Sequence, residues 1–149
     1  MKPHLITTNL WFSGDAEEAA KHYVSIFPDS SVDEVHRYGG SEVSAVTFTL
    51  SGAPFVAING GGDAMRFTAA VSFQVEAENQ AEVDGYWAKL GAGADESKQA
   101  AGWLVDKYGI SWQVTPKQLT PLLKGEKAAE VAEAMLQMKK IDIAKLEAI

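Results

Sequence analysis

A chain of 149 residues has the length for one domain, or for two small fused modules that share a core. An apolar share of 46% with 22% charged residues is that of a folded globular protein, far from a disordered one. The absence of cysteine removes disulfides, thiolate nucleophiles, Cys-ligated zinc and iron–sulfur clusters, and a net charge of −7 with scattered Lys and Arg argues against nucleic acid as a partner.

Residues Ile6–Phe12 read as a strand ending at the Ser13-Gly14-Asp15 turn. Asp15 is a good helix N-cap, with Glu17 and Glu18 in the favoured first turn. Ala16, Ala19, Ala20, Tyr23 and Phe27 then fall on one buried helical face, and Pro28 breaks the helix. Ser31–Arg37 reads as a strand, Tyr38-Gly39-Gly40 as a turn, and Val43–Leu50 as a strand alternating Val46, Phe48, Leu50 against Thr47, Thr49. Ser51-Gly52 turns tightly into the strand Pro54–Ile58.

Asn59-Gly60-Gly61-Gly62-Asp63 is a linker between halves. Three glycines suggest a phosphate loop, but that chemistry needs a helix N-terminus directly afterwards, and Thr68–Glu76 reads as a strand. The second half repeats the order: strand Ala69–Val75, helix Gln80–Leu90, Gly-rich turn Gly91–Gly93, strand Trp103–Val105, hairpin turn Asp106–Gly109 and strand Ile110–Thr115. The segment Asp95–Ala101 is the weakest element, a strand or a loop. After Pro116 the pattern is helical, with an apolar stripe at Val131, Ala134, Met135 and Met138 and a short last helix from Asp142 carrying Ile143, Leu146 and Ile149.

The halves match in spacing. Tyr23 stands eight residues after Asp15 and Tyr86 eight after Glu78; Phe27 and Leu90 each follow four later. Each half closes on a Gly-led strand, Gly52–Ile58 and Gly109–Val114. Two like units can form a shared cleft, the ordinary place for a small ligand.

Classical catalytic patterns are missing. His4, His22 and His36 form no HxH, HxxxH or HExxH spacing. Ser72 lies mid-strand and Ser111 between Ile110 and Trp112, so neither sits in a nucleophile elbow. Trp87 and Trp112 read as core, whereas Trp103 opens a short strand beside a flexible Gly loop and is a candidate ligand contact. No apolar run approaches the ~18 residues of a membrane span and no basic-then-apolar leader is present, so the expected setting is cytoplasmic.

The segments LWFSGDAEEAAKHYVSIFP (Leu10–Pro28), FTAAVSFQV (Phe67–Val75), GWLVDKYGISWQV (Gly102–Val114) and AMLQMKKIDI (Ala134–Ile143) carry a family resemblance. The chain resembles the PhnB-like branch, often labelled 3-demethylubiquinone-9 3-methyltransferase, of the glyoxalase/bleomycin-resistance/dioxygenase superfamily, also called vicinal oxygen chelate. The resemblance implies an α+β fold: two βαβββ modules, about 5–59 and 68–116, forming a curved mixed sheet around a cleft within a single domain spanning 1–149, followed by a helical tail, 117–149. It also implies a homodimer, to which the tail is expected to contribute. Metal-using members place His or Glu on the first and last strand of each module. Those positions fall here on Thr8, Ala70, Val56 or Ala57, and Gln113. None is His or a carboxylate, so neither a metal nor another cofactor is expected. The cleft is expected to hold an unknown, mostly apolar or amphipathic small molecule, contacted by Thr8, Ser72, Trp103 and Gln113 with Asn59 near the rim. A binding protein is one reading. A lyase-, isomerase- or dioxygenase-type enzyme with an atypical site is another, and a third is the methyltransferase of the family label, although the Gly-rich strand–helix turn that holds S-adenosylmethionine in doubly wound folds is missing.

Overall fold

A computed structural model describes residues 4–149 and divides the chain into two compact units, the first ending at Arg66 and the second running from Phe67 to Ile149. The architecture is α+β, with a mixed sheet in each unit.

In the first unit, strand β1 (Thr8–Phe12) leads to helix α1 (Ala16–Ile26), followed by β2 (Ser31–His36), β3 (Ala45–Leu50) and β4 (Ala53–Asn59). The sheet order is β1-β4-β3-β2, with β1 parallel to β4 and the other pairs antiparallel. Ser51 and Gly52, both at positive φ, form the tight β3–β4 turn, and a Gly suits such a turn because it has no Cβ to clash. The helix ends where Phe27 takes an extended ψ of 143°, the conformation that Pro28 imposes on the residue before it. Along β1, β4 and β3, register places Leu10, Phe12, Phe55, Ala57, Val46 and Phe48 on one face, all buried, as are Ala19, Ala20 and Tyr23 of α1, which packs on β3 and β4.

In the second unit, β5 (Ser72–Ala77) leads to α2 (Gln80–Gly91), then to β6 (Trp103–Val105) and β7 (Ser111–Pro116), with the sheet order β5-β7-β6. This sheet has three strands where the repeat leads one to expect four. The segment expected to be doubtful, Asp95–Ala101, holds one 3-10 turn at Glu96–Lys98, started by the Asp95 carboxylate accepting from Ser97 N at 2.9 Å, and a single bridge from Ala100 to Trp103. The expected strand at Ala69–Val75 starts later, at Ser72, and Ala70 lies in a turn before it.

Helices α3 (Leu119–Lys124), α4 (Ala128–Leu136) and α5 (Ile143–Glu147) form the tail, and Asp142 caps α5 as its sequence position suggests. Leu119, Val131, Ile141 and Leu146 make a buried cluster of their own, against which Ala134, Met135 and Met138 pack. The apolar stripe expected to serve a partner is thus largely turned inward.

The tail is strapped to its own unit. Ala101 N donates to Met138 O (2.7 Å) and Gly102 N to Lys139 O (2.8 Å). Gln80, at the start of α2, donates from Nε2 to Ile141 O (3.0 Å) and accepts at Oε1 from Ile143 N (2.9 Å). Gly102 has φ +84°, and a Cβ there would stand 3.1 Å from Ile141 Cγ1 and 3.3 Å from the Val114 carbonyl oxygen. Only glycine fits under this strap without displacement.

Candidate functional site

Three of the five residues singled out from sequence meet on one face of the second sheet. β7 alternates Trp112 and Val114, buried beneath α2, with Gln113 and Thr115 on the opposite side. Gln113 is in register with Gln74 on one neighbour and with Trp103 on the other, and its Nε2 donates to Ser72 Oγ at 3.0 Å. Ser72, Trp103 and Gln113 therefore share an open face with Gln74, Glu76 and Thr115. The Gln113 Oε1 accepts from no described residue, and neither the Trp103 indole N–H nor the Gln74 amide has a described partner. Among the described residues these donors and acceptors are unengaged, beside a half-buried ring.

Thr8 and Asn59 belong to the first unit. β1 pairs in register with β4, so Thr8 shares the face of Leu10 and Phe12, the one α1 covers. The expected counting treats the two strand–helix connections as equal, but three residues separate β1 from α1 and only two separate β5 from α2. Phe12 therefore corresponds to Ala77, both buried ahead of the helix, so the counterpart of Ser72 is Thr7, and Thr8 matches Phe73 rather than Ala70, the match expected from the sequence. The same shift moves the helices. Ala19 and Ile26 correspond in burial to Val83 and Leu90, so Tyr23 matches Trp87, and the eight-residue match of Tyr23 with Tyr86 is one position out of phase. Aligning Phe12–Asn59 with Ala77–Pro116 makes Val56 the counterpart of Gln113, which resolves the choice between Val56 and Ala57.

Asn59 has a different task. Its Oδ1 accepts from Ala16 N at 3.0 Å and its Nδ2 donates to Val43 O at 3.1 Å. It caps α1 from a strand far along the chain, whereas Asp15, the N-cap by position, makes no side-chain cap bond. Asn59 also borders a shallow open hollow of about 550 Å³ under the β2–β3 loop, lined by Tyr38, Glu42 and Ser44 among others. Both amide ends of Asn59 are already engaged there.

The site residue that sequence reading missed is a supporting one. The buried Asp106 carboxyl accepts from Tyr108 N (2.9 Å), Ile110 N (3.0 Å) and Trp112 Nε1 (2.9 Å). It fixes the β6–β7 turn and, through Trp112, the strand that carries Gln113. An Asp that opens a turn closing on Gly109 was the available signal.

A superfamily metal does not fit these residues. The open face supplies neutral amides, hydroxyls and the single carboxylate of Glu76, whereas a tightly held divalent ion needs several imidazole or carboxylate ligands converging. Among the described residues no group of three or more His, Asp or Glu comes together in a way that could hold an ion. The Gly60–Gly62 loop leads to no helix, and the amides of Gly60 and Gly61 donate to Phe12 O. Among the described residues no helix is long and apolar enough to cross a membrane.

The paired strand–helix–strand units define a protein of the glyoxalase/bleomycin-resistance, or vicinal oxygen chelate, class. The family model for 3-demethylubiquinone-9 3-methyltransferase matches residues 4–115, and the chain belongs to this PhnB-like family. A PhnB protein from Bacillus cereus bearing the same methyltransferase label is 36% identical, with a TM-score of 0.67 over 76% of this chain and 99% of that one. FosX fosfomycin resistance proteins share the fold at lower identity. That of Mesorhizobium loti is 17% identical, with a TM-score of 0.59 over 84% of this chain and 100% of its own; that of Listeria monocytogenes is 16% identical, with a TM-score of 0.60 over 84% and 100%. No curated protein matches the chain. The tail beyond Pro116 lies outside the matched family region.

Proposed function

We propose that the chain is a small-molecule-binding protein that works without the superfamily metal, as a homodimer in the cytoplasm. The observation that carries the binding reading is the set of hydrogen-bonding groups around Gln113 that have no partner among the described residues, on a sheet face that no helix of its unit covers, next to the Trp103 ring. Unpaired amides in a partly buried setting cost free energy unless water or a ligand pairs with them, and they give a ligand its orientation. Nothing on this face resembles a nucleophile activated by a base, which favours binding over catalysis. The dimer reading is supported by Leu5 and Ile6, 92% and 82% exposed, side by side ahead of β1. Light scattering on the purified protein checks it, and a monomer at micromolar concentration overturns it.

The binding reading is tested by a metabolite screen using thermal shift, followed by titration of each hit against Trp103→Ala and Gln113→Leu. Hits that lose at least tenfold in affinity with either change support it. Hits indifferent to both changes, or a screen with no hit, overturn it.

A further inference from the structure

We infer that the open face of the second sheet selects a flat ring with a neutral or positively charged hydrogen-bonding edge, and rejects anions. This rests on the reading of that face as a binding surface and goes on to name the ligand class.

The charges decide it. Strands β5, β6 and β7 place Ser72, Gln74, Glu76, Trp103, Gln113 and Thr115 on the face, with no Lys, Arg or His among them. Glu76 is the one ionisable group there, in register with Thr115 and two positions along β5 from Gln74, or about 7 Å at the strand rise. The nearest cation in sequence, Lys117, follows the end of β7 and is paired with Glu78. Lys117 also lies within reach of the Glu76 charge, but its ammonium is engaged by Glu78, so an anion on this face would meet the Glu76 carboxylate and a cation already paired, and the chain's net charge of −7 adds to the repulsion.

The shape follows from Trp103 and Gln113. They stand directly opposite each other across β6 and β7, so a ligand lying against the indole brings its edge to the amide. Offset or edge-to-face contact with an indole favours a flat aromatic ring, and the indole face attracts a cation. The Gln113 carbonyl accepts from no described residue, while one of its two amide hydrogens goes to Ser72 Oγ, which orients the carboxamide. The edge that complements it carries an N–H or O–H donor, whereas the selection against a carboxylate falls to Glu76, because the Trp103 indole N–H and the Gln74 amide are donors.

Benzamide, benzamidine and benzoate present one ring with neutral, cationic and anionic edges. Each is titrated into the full chain while the Trp103 indole resonance, assigned with Trp103→Phe, is followed by NMR. Benzamide and benzamidine should shift it, with benzoate at least tenfold weaker. Glu76→Gln should narrow the gap between benzamidine and benzoate at least threefold, and Gln113→Leu should weaken benzamide at least fivefold. Benzoate binding at Trp103 as tightly as benzamide overturns the charge selectivity and leaves the binding surface standing. A gap unchanged by Glu76→Gln overturns the assignment to that carboxylate. If none of the three moves the Trp103 signal, the face is no binding surface and both readings fall.

Discussion

The indole N–H of Trp112 donates to the buried Asp106 carboxyl at 2.9 Å, tying the middle of β7 back to the turn that starts it. Asp106 also holds two backbone amides of that turn, so three donors depend on one side chain. Asp106→Ala should cost about 2–5 kcal/mol, since buried donors are left unpaired. Trp112→Phe keeps most of the packing against Phe73 and should cost about 1–3 kcal/mol. Urea denaturation measures both, and an Asp106→Ala protein of unchanged stability would contradict this account.

Gln113 and Trp112 are neighbours with opposite duties. Trp112 is 3% exposed, and replacing it by Ala should cost about 3–5 kcal/mol. Gln113→Leu should cost little or stabilise slightly, because it removes an amide whose carbonyl has no partner among the described residues. The readout is the pair of melting temperatures. A severe loss in Gln113→Leu alongside a mild one in Trp112→Ala would mean that the faces of β7 are assigned the wrong way round.

The strap over Gly102 should be needed for the stability of the second unit. Gly102→Ala forces an L-residue into a positive φ and sets its Cβ against Ile141 and the Val114 carbonyl, at a cost of about 2 kcal/mol or more. Gln80→Ala releases the Ile141 and Ile143 backbone groups together and should raise amide exchange there well above the rest of α2. Unchanged exchange at Ile143 would show that the Gln80 amide is dispensable.

Acid should loosen the same attachment. Hydrogen bonding from Lys140, then from Gln80, lowers the Asp84 pKa below its ordinary 3.8. A carboxyl depressed in the folded state contributes stability that is fully present above about pH 4 and lost as pH falls through the folded value. The pair is half exposed, so the contribution is small, roughly 0.2–1 kcal/mol and weaker in salt. Asp84→Asn should therefore lower stability slightly at pH 5–8, with the difference closing below about pH 4. A difference that persists unchanged into acid would rule this linkage out.

Much of the element order was legible because local patterns carried it. The alternation of Val46, Phe48 and Leu50, the Ser51-Gly52 turn and the Asp142 cap all hold in the structure. Errors arose where one connection differs by a residue. In a strand, a shift of one reverses every side chain, so equal counts back from the two helix starts reach Thr8 on the face that α1 covers, with Leu10 and Phe12, but Ser72 on the face opposite α2, with Gln113. The capping by Asn59 was hidden for another reason. It joins residues far apart in sequence, and only the parallel pairing of β1 with β4 brings Asn59 to the start of α1.

That one-residue difference also makes the duplication chemically lopsided. In the first module, the positions matching Gln74, Glu76 and Gln113 are Asn9, Trp11 and Val56, so only the second offers the paired carboxamides and the carboxylate. A doubled ancestor would present two equivalent half-sites. The two modules of this chain differ in strand number and in these side chains, so a titration should saturate at one equivalent of ligand per chain rather than two.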